Sequence, residues 1–440
     1  MNQQLGDPIG DPIDDPDVPA AALQEFYISG RDGIYTMSWP SLQIEARIDR
    51  LKESSDYEVK GEVIFTSQRP TSAGHLRQGR IILTSPASRR TMVKALEERD
   101  AGPDWDRLLE QLCMAVLTRH RAGSPEVELH GDADLEAEDT WLISPLVQQK
   151  NPTLIFGSGS SGKSWLGQYL AVLVDEGISL NGLGVEPCPG RVLFLDWETT
   201  EQEISSRITM IRRGLNLEGP SHIWYKRMEQ SLAADIETVR NIVINRNIQF
   251  IVVDSLGSAC GGEPENAAIT LTMYAALRSL NVSSLCIHHT TKDNVLFGSV
   301  YHFNSSRQVF EQKKSQDPDS NQLVFGLFHR KANNSKLIRD MGFQIQFGLP
   351  GGGVAFTRMN VGDTALDEHQ RLPDRIFNIL KRGPVSVADL AEDLQKTEGH
   401  VRKELSTGVK AGRFIQLKDG SGRYAIQAFD QSPERRTIRI

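Results

Sequence analysis

The chain has 440 residues, of which 39% are hydrophobic and 24% charged, and its formal net charge is −8 at pH 7. This length predicts two or three domains, and the balance of apolar and charged residues predicts a soluble globular protein without a membrane span. The acidic balance excludes a protein whose whole surface coats nucleic acid, although it permits a local basic face.

Residues 1–20 are predicted to form a disordered acidic tail. They contain five Asp, no Lys or Arg, and the loose repetition "GDPIGDPIDDPD", in which Pro and Gly favour extended, solvated chain. This stretch lacks the basic and apolar regions of a secretory signal, and the four cysteines are scattered without a CxxC pair. We therefore expect a cytoplasmic protein without disulfides or a zinc finger.

Residues 21–125 are predicted to form a separate α+β domain. Alternating segments such as "YTMSW", "LQIEARI" and "GRIILTS" are typical of strands, and two stretches with helical periodicity follow them. The second helix carries an apolar stripe that we interpret as core-facing, made of Trp105, Leu108, Leu109, Leu112 and Val116. No motif in this domain indicates chemistry, and the acidic residues 126–140 after it are predicted to be a linker.

Residues 141–360 are predicted to form an α/β domain. Apolar runs of strand length, namely "TLIFG", "RVLFLDWE", "FIVVDS" and "SSLCIHH", alternate here with helical stretches. Because parallel strands are covered by helices on both faces, they are apolar along their whole length. The pattern indicates a parallel sheet with helices on both sides.

The segment "GSGSSGKS" has the form GxxxxGK[ST] and lies between a predicted strand and a predicted helix. In such a P-loop, backbone N–H groups and the helix N-terminus face the phosphates of a nucleotide. Lys163 is predicted to reach the β- and γ-phosphates of a nucleoside triphosphate, and the Ser164 hydroxyl to bind Mg²⁺. The predicted nucleotide-binding residues are Gly157, Ser158, Gly159, Ser160, Ser161, Gly162, Lys163, Ser164 and Trp165.

Two further apolar strands end in acidic residues. "FIVVDS" places Asp254 at a strand tip, where its carboxylate is predicted to lie beside the hydration shell of Mg²⁺. "RVLFLDWETT" places Asp196 and Glu198 on one side of a strand, because side chains alternate, so spacing does not decide which acid activates the attacking water. The alternative is that these acids only cap their strands.

"SSLCIHHTTK" ends another strand in His288 and His289. Consecutive residues of a strand point in opposite directions, which disfavours a shared metal or a catalytic dyad. One of the two histidines should therefore face the nucleotide.

The order of these motifs resembles the RecA-type ATPase core, and more narrowly the hexameric replicative helicases of the plasmid RepA kind and the related AAA_25 ATPases. The resemblance covers about residues 141–345. It implies that Glu198 activates water and that His289 senses the γ-phosphate, which leaves His288 as a packing residue.

The resemblance also implies a ring in which hydrolysis occurs at subunit interfaces. Arg307 stands where the family places an arginine that reaches a neighbouring subunit's γ-phosphate, and Lys331 resembles a basic residue near the same phosphate. A solvent-facing arginine is the alternative for Arg307. Residues 257–268 and 290–302 are candidate channel loops for single-stranded DNA, with ordinary surface loops as the alternative.

Residues 371–427 hold 11 Lys and Arg against 7 Asp and Glu, and three short helices followed by a hairpin resemble a winged helix-turn-helix. Apolar residues including Val409 are predicted to form its core. The alternative to duplex DNA binding by this module is a protein contact, and residues 428–440 are predicted to be a tail. The candidate DNA contacts are His400, Arg402, Lys403, Lys410, Arg413 and Lys418.

The sequence thus predicts a cytoplasmic, RecA-like P-loop ATPase with an N-terminal α+β domain and a C-terminal winged helix. The favoured hypothesis is an ATP-dependent DNA helicase or translocase that acts as a hexameric ring in replication or repair. The competing hypothesis is a DNA-binding regulator or loader that uses ATP as a switch and unwinds nothing.

Overall fold

A computed structural model of the chain describes residues 26–31, 33–72, 74–123, 128, 141–180, 182–317 and 319–426. The predicted tails, 1–20 and 428–440, lie outside the described residues. The same holds for the predicted linker, apart from residue 128. The chain divides into two compact units, Met1–Asp132 and Ala133–Ile440. Within the described ranges, no helix combines the length and the apolar character that crossing a membrane requires.

The first unit is an antiparallel sheet followed by two helices. Its strands are β1 (Tyr27–Arg31), β2 (Ile34–Trp39), β3 (Ile44–Glu53), β4 (Val59–Ser67) and β5 (Gly74–Ile82), paired in sequence order, and its helices are α1 (Pro86–Glu97) and α2 (Trp105–Ala122). The predicted apolar stripe of α2 is buried, with every member at most 1% exposed. It packs against the sheet, and the Trp105 ring meets Phe65 edge to face.

The second unit contains a nine-stranded sheet, a small three-stranded sheet and a C-terminal helical module. The small sheet is formed by β6 (Trp141–Ser144), β7 (Val147–Gln148) and β9 (Glu186–Pro187). The strands of the large sheet are β8 (Pro152–Gly157), β10 (Arg191–Asp196), β11 (Trp224–Arg227), β12 (Ile248–Asp254), β13 (Ser283–His289), β14 (Gln308–Ser315), β15 (Gln322–Ala332), β16 (Met341–Leu349) and β17 (Gly353–Met359). The helices between them are α3 (Lys163–Glu176), α4 (Glu201–Gly214), α5 (Ile236–Arg246), α6 (Leu256–Cys260), α7 (Ala267–Ser279) and α8 (Val300–Ser305).

The strand order of the large sheet is β11-β10-β12-β13-β8-β14-β15-β16-β17. The first six strands in this order are parallel, and β15, β16 and β17 continue the sheet in antiparallel pairing. The predicted α/β core with a largely parallel sheet is confirmed. Parallel strands bring their carboxyl ends to one edge, so the loops after β8, β10, β12 and β13 meet there, as ligand sites in open α/β sheets do.

Alternate residues of the central strands enter two separate hydrophobic clusters. Phe250 and Val252 of β12 pack with α3 on one face, whereas Ile251 and Val253 pack with α5 and α7 on the other. Burial on both faces explains why these strands are apolar throughout. The strands are therefore held firmly, and the polar residues at their tips are placed on a rigid scaffold.

The C-terminal module consists of α9 (Leu372–Leu380), α10 (Val387–Asp393), α11 (Glu398–Lys410) and a hairpin of β18 (Phe414–Gln416) and β19 (Tyr424–Ile426). The prediction that Val409 belongs to its core was wrong, because that side chain is 39% exposed. Phe414 is buried instead, and a Cβ on Gly408 would lie 2.1 Å from its ring. Helical phase turns residue 409 outward, and the aromatic side chain of the following strand takes its place.

Candidate functional site

The P-loop joins β8 to α3 and depends on two glycines. A Cβ at Gly157 would lie 2.2 Å from the Gln312 carbonyl oxygen of neighbouring β14, so no other residue fits there. Gly162 precedes α3 with a φ of 90°, which L side chains rarely adopt. Its left-handed conformation lets the chain turn from the loop into the helix. The N-terminal N–H groups of α3 therefore point toward the loop, where they can receive phosphate.

Lys163 is buried within this loop. Its ammonium donates to the carbonyl oxygens of Gly157 at 2.9 Å and Ser158 at 2.7 Å, and it lies 3.4 Å from the Ser161 hydroxyl. Burial lowers the pKa of Lys163 to about 8, although the charges of Asp254 and Glu198 oppose that shift. The cation is thus held by neutral oxygens at a point where a phosphate anion would stabilise it.

Strand β14 braces the P-loop through two side chains that the sequence reasoning missed. Gln312 Nε2 donates to the Ser161 carbonyl oxygen at 2.6 Å, and Lys314 Nζ donates to the Ser160 carbonyl oxygen at 3.1 Å. Neither residue belongs to a recognisable motif. The pairing of β14 beside β8 brings them there, and Lys314 adds a second cation next to Lys163.

Asp254 ends β12 beside the P-loop helix, where the nearby Ser164 side chain acts to lower its pKa. Asp254 is buried, and this burial raises the pKa of Asp254 to about 6, with the charges of Glu198 and Asp196 adding to the shift. The two residues predicted to bind Mg²⁺ are therefore neighbours at this edge. A buried carboxylate with a raised pKa is one that a cation would stabilise.

Asp196 has a different role from Glu198, although the sequence places both at the end of β10. Its carboxylate is fully buried and accepts from the backbone N–H groups of Glu198 at 3.1 Å and Thr199 at 3.1 Å. The hydroxyls of Thr199 and Tyr225 donate to it at 2.9 and 3.0 Å. Asp196 is thus occupied in holding the turn that presents Glu198.

Glu198 projects from this turn toward the P-loop edge and remains 41% exposed. The Ser255 hydroxyl donates to Oε1, and the same oxygen lies 3.6 Å from His289 Nε2. The pKa of Glu198 is lowered to about 2, mainly by the contact with His289. Burial opposes this shift, whereas Ser255 and Lys163 lower the pKa further. Glu198 is therefore an ionised, accessible carboxylate, and Ser255 is a further site residue that the motifs did not reveal.

His288 and His289 point in opposite directions, as strand alternation predicts. His288 is 1% exposed, and its Nε2 lies 2.9 Å from the carbonyl oxygen of Phe297. Burial lowers the pKa of His288 to about 3, and the nearby His302, whose ring centroid is 4.8 Å away, lowers it further. His288 is therefore a neutral, buried packing residue, whereas His289 faces Glu198.

Arg307 lies at the opposite end of the sheet from the P-loop. It precedes β14, and its backbone N–H donates to the carbonyl oxygen of Pro152, the first residue of β8, at 2.9 Å. The P-loop follows Gly157 at the other end of the same strand, about 16 Å away at the rise of a β-strand. The exposed Arg307 side chain therefore cannot reach a phosphate bound to its own chain.

Lys331 stabilises the C-terminal end of α8 through three hydrogen bonds. Its ammonium donates to the carbonyl oxygens of Phe303 at 2.9 Å, Asn304 at 2.8 Å and Ser306 at 2.8 Å. An ammonium group has three donors, and all three are engaged. Burial, followed by the charge of Arg307, lowers the pKa of Lys331. These contacts are structural, so a role toward phosphate would require Lys331 to leave them.

The candidate DNA contacts lie on the C-terminal module. Five of the six are exposed, namely His400, Arg402, Lys403, Lys410 and Lys418. Arg402 is paired with Glu398 one helical turn earlier, at 2.8 Å. Arg413 is the exception, since it is half-buried with its guanidinium 5.9 Å from the Phe414 ring centroid. These residues lie in a module of their own and are not part of the P-loop edge.

The residues at this edge fit the nucleotide and the metal that the motifs imply. The P-loop supplies a cation and a helix N-terminus for phosphates, while the neighbouring Ser164 and Asp254 supply the hard oxygen ligands that Mg²⁺ prefers. Glu198 lies near them, and its side chain is partly exposed to solvent. The arrangement can bind a nucleoside triphosphate and hold a water for attack.

Residues 118–295 match the model of the AAA_25 family, described as an AAA domain. Two solved structures are similar to part of the chain, each with a TM-score of 0.35. A KaiC-like protein of Pyrococcus horikoshii is 13% identical and covers 49% of this chain and 94% of its own. The flagellar accessory protein FlaH of Methanocaldococcus jannaschii is 12% identical and covers 52% of this chain and 97% of its own.

At those TM-scores the two structures do not bear on function, and no curated protein matches the chain. The AAA domain match spans the P-loop, Glu198, Asp254 and His289, which the sheet brings to one edge. This part of the chain is therefore similar to an AAA domain, and it carries its P-loop at the carboxyl edge of a largely parallel sheet.

Proposed function

We propose that the protein is a DNA-dependent ATP hydrolase in which Glu198 activates the attacking water. The observation that carries this proposal is the position of the Glu198 carboxylate, which is fixed by Ser255 and His289 at the same edge as the P-loop. A carboxylate placed there can align a water and accept its proton, or stabilise the charge that develops on it.

Each side chain at this edge has one task in the proposed reaction. Lys163 exchanges its P-loop carbonyl partners for phosphate oxygens, and its charge stabilises the transition state. His289, whose Nε2 lies 3.6 Å from the Glu198 carboxylate, would donate to the γ-phosphate and so make that carboxylate respond to its presence. Bound at Ser164 and Asp254, Mg²⁺ would neutralise phosphate charge.

We further propose that the active form is a ring, with six subunits as the favoured number. Arg307 is exposed and lies too far from its own P-loop to contact it, so a phosphate contact requires a second copy of the chain. An arginine supplied by a neighbour makes hydrolysis depend on assembly. Lys331, which is held by three carbonyl oxygens, is better suited to support the segment that carries Arg307 than to bind phosphate itself.

DNA is the proposed partner of the C-terminal module and of the loops beside the ATP site. The three helices and hairpin are consistent with a winged helix, and the exposed start of α11 carries His400, Arg402 and Lys403. Lys292 and the 62%-exposed Val295 lie in the segment after β13, which begins beside His289. A change at His289 would therefore be transmitted directly into that segment, where single-stranded DNA is proposed to bind.

Hydrolysis and strand displacement assays test the helicase proposal. We expect ATP hydrolysis that single-stranded DNA stimulates, together with ATP-dependent displacement of one strand from a forked duplex. The Glu198→Gln protein is the matched control, since it should bind the same fork without displacing a strand. DNA binding with ATP hydrolysis but no displacement at any fork geometry would favour the alternative, an ATP-switched regulator or loader.

The contribution of the C-terminal module is tested separately with Lys403→Ala. Loss of a phosphate contact should weaken duplex binding and lower its salt dependence by about one counterion. ATP hydrolysis without DNA should be unchanged, because Lys403 is on α11 and belongs to none of the elements that form the P-loop edge. Unaltered duplex affinity and salt dependence, in this variant and in Lys410→Ala, would indicate that the module contacts protein instead.

A further inference from the structure

Three side chains from three elements meet beside the P-loop and form what we call the aromatic corner: Trp165, Phe347 and Arg207. Trp165 is in the first turn of α3 and follows Ser164 directly. The Phe347 ring of β16 meets it edge to face, with ring centroids 5.4 Å apart and an interplanar angle of 71°. The guanidinium of Arg207, on α4, lies 5.3 Å from the centroid of the Trp165 ring.

The corner is built firmly although it lies at the surface. Trp165 and Phe347 are only partly buried, yet both pack against the main hydrophobic cluster of the ATPase core. Glu203, one turn before Arg207 on α4, forms an ion pair with its guanidinium. The planar group is thereby held close to the indole, a geometry that favours cation–π contact and stacking with a further flat ring.

We propose that the aromatic corner receives the base of the nucleotide whose phosphates bind the P-loop, and that it favours purines. This inference rests on the proposed ATP hydrolysis. A base is joined to the α-phosphate through a single ribose, so it can reach only side chains next to the P-loop. Of the predicted nucleotide-binding residues, Trp165 is the one that offers a large flat surface.

The preference for purines follows from the chemistry of the three side chains. Stacking on aromatic rings and on a guanidinium plane depends on the overlapping π surface, which is larger for a two-ring base. Arg207 is already engaged by Glu203, so the corner selects the size of the base through stacking more than through its hydrogen-bonding edge. ATP and GTP should therefore bind similarly, and CTP and UTP more weakly.

Equilibrium binding of MgATP and of inorganic triphosphate with Mg²⁺ tests the proposal, because triphosphate has no base. In Trp165→Ala we expect ATP affinity to fall by about 5- to 150-fold, the range of one base–aromatic stack, with triphosphate affinity unchanged. Trp165→Phe should restore most of the ATP affinity. The ratio of the two affinities is measured on one sample, so a partly unfolded variant does not distort it.

Tryptophan fluorescence supplies the matched control. ATP should change the tryptophan fluorescence more than triphosphate does. This difference should vanish in Trp165→Phe and persist in Trp224→Phe, because the Trp224 indole lies on edge strand β11 beside Arg246. Equal losses for ATP and triphosphate in Trp165→Ala, or no loss for either, would overturn the base site while leaving the phosphate site intact. Wild-type protein that binds neither molecule would instead refute the proposed ATPase function.

Discussion

His289 Nε2 lies 3.6 Å from Glu198 Oε1, although the two residues belong to β13 and to the turn after β10, which are separated in the sheet by β12. Asp196 holds the turn on one side, and the Ser255 hydroxyl after β12 fixes the Glu198 carboxylate on the other. The proposed base and the proposed sensor of the γ-phosphate are therefore in direct electrostatic contact.

Glu198→Gln should separate ATP binding from hydrolysis. The amide keeps the shape and the contact with Ser255 but cannot accept a proton from water, so turnover should fall by at least about 100-fold. ATP affinity should stay within a few-fold of wild type. Lys163→Ala should lose both binding and turnover. Phosphate release and equilibrium binding measure the two effects, and turnover near wild type in the Gln variant would contradict the assignment.

The two adjacent histidines should give opposite phenotypes. His288→Ala removes a buried ring and leaves the Phe297 carbonyl without its donor, so the free energy of unfolding should fall by about 2 to 4 kcal/mol. His289→Ala removes a half-exposed ring and should change it by less than about 0.5 kcal/mol, while reducing hydrolysis. Denaturant unfolding and ATPase assays on both variants decide this. A reversed pattern would mean that His288, and not His289, faces the P-loop edge.

ATP affinity should weaken as the pH rises above about 8. Burial lowers the pKa of Lys163 to about 8 in the free protein, and a bound phosphate would raise it, so binding takes up a proton in this pH range. Calorimetry in buffers of different ionisation enthalpy should detect this proton at pH 8 to 9. In Lys163→Arg, which stays charged, the uptake should disappear. Uptake that persists in that variant would point to another group.

Asp254→Asn should stabilise the protein in the absence of Mg²⁺ and nucleotide while abolishing hydrolysis. Burial raises the pKa of Asp254 from its ordinary value of 3.8 to about 6 in the folded protein. Between these pH values the native state binds more protons than the unfolded state, so the protein loses stability as the pH rises through this window. At pH 7 the variant should be more stable by on the order of 2 to 3 kcal/mol. Below about pH 4 both proteins should unfold alike, and a less stable variant at pH 7 would contradict the burial argument.

Arg307→Ala should lose hydrolysis without losing stability, because its exposed side chain acts on a neighbour. Mixing it with Lys163→Ala, which supplies an intact Arg307 but binds no ATP, should restore activity at mixed interfaces. Lys331→Ala is the contrast, since it leaves three carbonyl oxygens of the α8 end without a donor and should lower the unfolding free energy by about 1 to 3 kcal/mol. No rescue at any mixing ratio would argue against a contribution from the neighbour.

The sequence by itself determined the P-loop, the parallel core and the acidic strand ends. These features are local: glycines that no other residue can replace, apolar runs buried on both faces, and side-chain alternation that separates His288 from His289. Each depends on a few consecutive residues, so a single sequence is enough to predict it. The same local reasoning could not choose between Asp196 and Glu198, which share one side of a strand.

The tertiary structure decided which side chains share the edge and what each is free to do. In the fold, Asp196 accepts backbone hydrogen bonds, and the Ser255 hydroxyl donates to Glu198. Gln312 and Lys314 donate to the P-loop from β14, a strand far along the chain. In the C-terminal module, Phe414 is buried in the core, whereas Val409 is exposed. These outcomes depend on sheet order and packing between distant segments, which no spacing in the sequence encodes.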